Sequence, residues 1–158
     1  MSCYRQILYH IVFRTYRSGK TLPLEQTGEL YAYIGGIIKN KNCFLYQING
    51  MQEHIHILSD LHPNVALAEY IRDIKTTSSF WLKENPDFSG FNGWSEGYAA
   101  LTYACGDLNR VGSYIINQRE HHTKVNFIDE YKKLLEEHQI MIDEKYFHKM
   151  KDIQPPQG

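Results

Sequence analysis

Two runs of alternating side chains meet at Asn49-Gly50, and no other local feature constrains the chain as strongly. Asn-Gly favours a two-residue turn with positive φ at both central positions, the turn that joins neighbouring antiparallel strands. This reading makes residues 42–48 one strand, with Phe44, Tyr46 and Ile48 in alternation, and residues 51–61 the next. Another strand is expected over residues 4–16. There Ile7, Tyr9, Ile11 and Phe13 share one face, and Gln6, Leu8, His10, Val12 and Arg14 the other.

Helical patterns lie between and after these strands. Pro23 opens one whose stripe is Leu30, Ile34, Ile37 and Ile38. Gly35-Gly36 inside it costs about 1 kcal/mol per glycine relative to alanine, which close packing against a sheet would explain, with a hinge as the alternative reading. A second long helix, residues 65–83, carries Leu67, Ile71, Ile74, Trp81 and Leu82. A loop rich in Gly, Asn and aromatics leads to a fourth strand at 98–104. A third helix then runs over 108–122, with Leu108, Val111, Gly112, Ile115 and Ile116 as its buried stripe. The order predicts an α+β protein with a ferredoxin-like βαββαβ sheet and additional C-terminal helices. Residues 1–126 form the main domain. Residues 127–158 form a helical extension, with Tyr131, Leu134, Leu135 and His138 at helical spacing and a frayed end at Pro155–Gly158.

A fold of this kind hosts many functions, so function has to be read from a site. Broad classes are excluded first. No apolar run approaches the ~20 residues of a membrane span, and the N-terminus lacks a signal-peptide layout, so a cytoplasmic protein is expected. Cys3, Cys43 and Cys105 are odd in number and widely spaced, which argues against both a disulfide framework and a zinc knuckle. The net charge of −1 is not the basic footprint of a protein that neutralises many phosphates. Part of that acidity is local: from Val125 onward there are seven acidic and five basic residues, which leaves eleven acidic and twelve basic before it.

The most informative hexapeptide is Glu53-His54-Ile55-His56-Ile57-Leu58. Strand residues two apart point the same way, so His54 and His56 share a face and can converge on one ion. A bare His-x-His also fits two strand histidines making ordinary hydrogen bonds. The helix at 108–122 adds a polar stripe of Tyr114, Gln118 and His121. Residues i and i+4 lie one above the other, so the Tyr114 phenol and the Gln118 amide reach toward the same point. An amide oxygen suits a hard ion such as Mg²⁺ or Mn²⁺. A tyrosine at the edge of an apolar stripe also fits simple packing.

Taken together these residues resemble the HUH single-tyrosine transposases of the insertion-sequence 200/605 kind, including palindrome-associated domesticated relatives. The resemblance runs over about residues 4–127. It rests on Tyr9-His10-Ile11-Val12-Phe13, the HUH motif at 53–58, Ile74-Lys75 with Ser78-Ser79, and Trp94 with Gly97-Tyr98. Tyr114-Ile115-Ile116-Asn117-Gln118 followed by Glu120-His121-His122 is its most specific part. It implies that His54, His56 and Gln118 hold a divalent metal. It also implies that Tyr114 attacks single-stranded DNA, leaving a 5′-phosphotyrosine and a free 3′-OH. Imperfect DNA hairpins are the implied substrate. A homodimer, in which one subunit's tyrosine helix can serve the other's histidines, is the implied assembly. A covalent link preserves the energy of the broken bond, so a tyrosine nucleophile points to strand transfer and not degradation.

DNA contacts are expected from His10, Arg14, Arg17 and Lys20 on or near the first strand, and from Arg72, Lys75 and Lys83 on the second helix. Tyr46, Phe91 and Trp94 are candidates for stacking on unpaired bases. Two other readings stay open: a hairpin-binding repressor that does not cleave, and a metal-dependent hydrolase using only the histidine pair.

Overall fold

A computed structural model describes residues 5–142. Cys3, the expected strand start at Tyr4 and the end at Pro155–Gly158 lie outside the described residues. Four strands, β1 (Leu8–Arg14), β2 (Leu45–Gly50), β3 (His54–Asp60) and β4 (Ala99–Tyr103), form one antiparallel sheet in the order β2-β3-β1-β4. With α1 (Thr27–Asn40) between β1 and β2, and α2 (Leu67–Glu84) between β3 and β4, this is the expected ferredoxin-like arrangement. Among the described residues, no helix is long and apolar enough to cross a membrane.

The two faces of the sheet carry different cargo. Ile11, Phe13, Ile55 and Ile57 pack against Leu30, Ile34 and Ile38 of α1 and Tyr70, Ile71, Ile74 and Leu82 of α2, forming the main core. The opposite face is covered by helices from the second half of the chain: α3 (Leu108–Ile116), α4 (Gln118–His121) and α5 (Phe127–Glu137). Val111 and Ile115 of α3 bury against Leu58. Phe127, Tyr131 and Leu134 of α5 bury against Val12, Ala99 and Leu101. The central strands β1 and β3 are therefore buried on both sides.

Three local expectations need correction. Asn49-Gly50 is not the hairpin turn. Both residues end β2, paired with His56 and Ile55, and neither has positive φ. The turn is Met51-Gln52-Glu53, closed by Met51 N–H on the His54 carbonyl at 3.0 Å. Its Gln52 and Glu53 carbonyls accept from Thr21, Leu22 and Thr15, which pins the turn to the loop after β1. Glycine is required at position 50 because a Cβ there would lie 2.1 Å from the His54 carbonyl oxygen.

Close packing does not explain Gly35-Gly36. A Cβ on Gly35 would make an ordinary contact with Leu45 at 3.6 Å, and one on Gly36 would meet nothing within 4 Å. The third helix is also not continuous to His122. It stops at Ile116, Asn117 (φ −89, ψ 16) breaks it, and α4 restarts at Gln118. Ile116, the last residue of α3, is 54% exposed instead of buried.

Candidate active site

His54 and His56 stand two apart on β3 and are both fully buried, on the sheet face covered by α3 to α5. Each element over them is anchored by apolar side chains. Val111 and Ile115 hold α3 to Leu58, so the partly buried Tyr114 lies above the strand with its ring centroid 5.8 Å from that of His56. Asn49 Nδ2 donates to the Ile116 carbonyl at 2.8 Å, fixing the end of α3. The break at Asn117 turns the Gln118 amide fully inward. Asn126 caps α5, accepting from Asp129 N–H at 2.9 Å. Phe127 stacks on His54 with centroids 4.1 Å apart and planes 12° apart. Three residues further along the same face, Glu130 enters the histidine cluster, 3% exposed.

Glu130 joins the site's two halves. Its Oε1 lies 3.1 Å from His56 Nε2, 3.1 Å from His122 Nε2 and 3.5 Å from His54 Nε2. Its Oε2 accepts from the Tyr114 hydroxyl and from Gln118 Nε2 at 3.0 Å, with His121 Nε2 at 3.3 Å. Gln118 Oε1 in turn lies 3.1 Å from His54 Nε2 and 3.0 Å from His122 Nε2. Tyr114, His54, His56 and Gln118, picked from sequence spacing, thus meet in one place and within one chain.

All three imidazoles are held from behind through Nδ1. That atom meets Glu53 Oε1 at 2.6 Å in His54, His10 Nε2 at 2.7 Å in His56 and the Val125 carbonyl at 2.7 Å in His122. A carboxylate and a carbonyl only accept, so Nδ1 carries the hydrogen in His54 and His122, and in a neutral ring Nε2 is left bare. Bare nitrogens then face the oxygens of Gln118 and Glu130, lone pair against lone pair. A cation between them resolves the contact, either a second ring proton or a metal ion. His54, His56, His122 and Glu130 each offer a ligand atom within 4.8 Å of the others. The separations of 3.0–3.5 Å from Glu130 Oε1 and Gln118 Oε1 to the ring Nε2 atoms match the edges of about 3.0–3.4 Å around an ion with ~2.1 Å bonds. The donor set therefore fits a metal.

The electrostatics agree with that crowding. Burial opposes ionisation of Glu130, yet hydrogen bonds from His122 and His56 and the histidine charges hold its carboxyl far below the usual range. Burial lowers His56 to about 4 despite Glu130 beside it, so this ring is neutral at neutral pH. His122 is raised. Burial is the largest influence and works against its charge, but the Glu130 hydrogen bond and charge, the Val125 carbonyl and the Glu53 charge together outweigh it. Tyr114 is pushed far up by burial and then by the Glu130 charge, which keeps the phenol protonated.

The other expected contacts scatter. His10 is not at a DNA surface: it is fully buried behind His56, on a strand covered on both faces. Arg14 is 7% exposed and donates to Ser18 at 3.0 Å. Arg17 and Lys20 are exposed in the loop after β1, and Arg72 is exposed on α2. Lys75 spends its ammonium on the Ser95 and Gly97 carbonyls at 2.9 and 2.6 Å. With Lys83, Trp94, Thr76, Ser79 and Phe80 it lines an open pocket of about 320 Å³. Phe91 is buried against Trp94 and cannot stack on a base, while Tyr46 is 39% exposed. Sequence reasoning missed Glu130 and His122 as site residues and gave Glu53 no role. One signal was present: Glu130 sits between Phe127 and Leu134 on the apolar stripe of α5, an acid where a hydrophobe belongs.

The family model described as "Transposase IS200 like" matches residues 3–118, well over half of the chain. The chain belongs to the IS200-like transposases. It is an enzyme that acts on DNA, a transesterase of the transposase type. Gln118 is the last residue matched, so His122 and Glu130 of this IS200-like transposase lie beyond the matched residues. The structure is similar to that of a Deinococcus radiodurans protein assigned as a transposase, with TM-score 0.55 and 22% identity over 75% of this chain and 95% of that one. It is also similar to a REP-associated tyrosine transposase bound to a REP hairpin, with TM-score 0.56 and 19% identity over 79% of this chain and 76% of that one. At these identities the likeness is one of fold. No curated protein matches the sequence.

Proposed function

We propose that this transposase cleaves and rejoins single-stranded DNA at hairpins, using Tyr114 as nucleophile and a divalent metal. The observation that carries the reading is the two-sided use of Glu130: one carboxylate oxygen faces three imidazoles and the other accepts the Tyr114 hydroxyl. A phenol of raised pKa is a poor nucleophile. The carboxylate that disfavours its ionisation belongs to the set that would hold the cation.

His54, His56, His122 and Glu130 would hold the ion, with Gln118 Oε1 beside them. Three nitrogen donors favour Mn²⁺ over Mg²⁺, which prefers oxygen. When bound, the ion supplies positive charge facing the scissile phosphate and offsets the charge that develops there. Tyr114 Oη forms the new bond to phosphorus while the bond from phosphorus to the 3′-oxygen breaks. The products are a 5′-phosphotyrosine and a free 3′-hydroxyl, the proton lost from Tyr114 Oη balancing the one that the 3′-oxygen takes up. Attack by a 3′-OH on that linkage reverses the step and rejoins strands without an external energy source.

The geometry supports use of Tyr114 on its own chain's histidines, so a homodimer is not needed to complete the site. The hairpin is the substrate by family resemblance, and the similar REP-associated protein was solved bound to one. The exposed Arg17, Lys20, Arg72 and Lys83, with the Lys75–Trp94 pocket, are the surfaces proposed to meet it. A DNA substrate and free Cys43 and Cys105 fit a cytoplasmic enzyme.

The test is a denaturing gel with 5′- and 3′-labelled hairpin DNA from the gene's own flanks, run with Mn²⁺ and with EDTA. A covalent, metal-dependent adduct absent from Tyr114→Phe supports the proposal. Tight hairpin binding without an adduct replaces it with the repressor reading.

A further inference from the structure

Of the three rings in the cluster, His56 alone is held from behind by another imidazole. His10 Nε2 and His56 Nδ1 lie 2.7 Å apart, the ring centroids are 5.0 Å apart with planes 27° apart, and both side chains are fully buried. The other ring nitrogen of His10, Nδ1, is buried without a hydrogen-bond partner. A buried polar group with half its capacity unmet is disfavoured where an apolar side chain would pack. Among the described residues, the one hydrogen-bond partner of the His10 side chain is the ring of a candidate metal ligand.

Resting on the metal reading above, we propose that His10 is a positioning residue for His56, selecting the tautomer that can bind the ion. An imidazole pair sharing one hydrogen has two neutral arrangements. In one, His10 Nε2–H donates to His56 Nδ1; the His56 hydrogen then sits on Nε2, pointing at Glu130 Oε1, and the ring cannot ligate. In the other, His56 Nδ1–H donates to His10 Nε2, His10 keeps its hydrogen on Nδ1, and His56 Nε2 turns a lone pair to the site. No proton is gained or lost between them. His10 thereby does for His56 what the Glu53 carboxylate does for His54 and the Val125 carbonyl does for His122. Unlike those two acceptors, it also permits the closed arrangement.

The test compares wild type, His10→Phe and His10→Gln. Phe keeps the packing without a ring nitrogen, and Gln restores an acceptor. Mn²⁺ affinity is read by electron paramagnetic resonance of the free ion, and adduct formation is measured against Mn²⁺ concentration. The expected result is a 10- to 100-fold loss of Mn²⁺ affinity in His10→Phe, largely recovered in His10→Gln. The maximal rate at saturating Mn²⁺ stays near wild type, a split that a purely structural role does not give. A further readout on wild type is independent of variant folding: ¹⁵N shifts of the Zn²⁺-loaded protein place the His56 hydrogen on Nδ1. If His10→Phe binds Mn²⁺ like wild type, or if His56 carries its hydrogen on Nε2 with zinc bound, this inference is overturned and the metal site stands. If wild type binds neither ion, the metal reading falls and takes this inference with it.

Discussion

Tyr114 donates its phenolic hydrogen bond to Glu130, 16 residues further along the same chain. The acceptor lies on α5, outside the residues that match the family model, so part of the surroundings of the proposed nucleophile comes from beyond them. Glu130 and His122 also favour each other's charged forms, the carboxylate raising the imidazole and the imidazole lowering the carboxyl.

Replacing Glu130 with alanine removes the anionic member of the donor set. Mn²⁺ affinity is expected to fall at least 10- to 100-fold, read by titration calorimetry, with adduct formation falling in step. A variant that binds Mn²⁺ as tightly as wild type would show that Glu130 only packs.

Acid should destabilise the metal-free protein in a defined window. His56 has a folded pKa of about 4 against 6.5 unfolded, because burial penalises its charge. The unfolded chain therefore binds the proton first. The contribution of His56 is complete above pH 6.5, is lost as pH falls toward 4, and amounts to about 3 kcal/mol. His10 is lowered by the same cause and adds to the loss. His122, raised by Glu130, opposes it, since its contribution is present below 6.5 and lost as pH rises through its folded value. Glu130 is depressed, so its share is lost only further into acid. Melting temperature across pH 7.5 to 4 should fall steeply, and added Mn²⁺ should protect at the upper end. A flat profile contradicts the buried neutral histidines.

Gly50→Ala should cost more than a surface glycine change. The new Cβ would meet the His54 carbonyl at 2.1 Å, backbone against backbone, so β2 and β3 must part next to the site. A loss of about 1–3 kcal/mol, typical of overpacking, is expected by chemical denaturation, against a gain of up to about 1 kcal/mol for Gly36→Ala, which sits in open space on a helix.

The fold was readable in the sequence where periodicity was long. Leu30, Ile34 and Ile38, and Ile71, Ile74 and Leu82, occupy the core as their spacing predicted. Misreadings came where tertiary contacts overrode a local rule. Asn49-Gly50 looks like a turn, but the Asn49 amide is drawn to the Ile116 carbonyl and Gly50 yields space to a neighbouring strand. His10 looked like one more polar residue on a half-exposed strand, because burial of that face depends on α5, far along the chain. Glu130 was hidden by its setting, an acid in an acidic tail, and only the fold shows that its helix turns back over the sheet.

Use of Tyr114 on its own chain can be separated from exchange between subunits. Mixing Tyr114→Phe with a His54→Ala, His56→Ala double variant should restore no adduct. Recovery of activity on mixing would mean that the site works between chains.

The most direct test of the central claim is mass spectrometry of the protein digested after reaction with hairpin DNA and Mn²⁺. The account predicts one nucleotide-bearing peptide, with the 5′-phosphate on Tyr114 and none in EDTA. A phosphate linked to any other side chain, or cleaved DNA with no modified peptide, would contradict it.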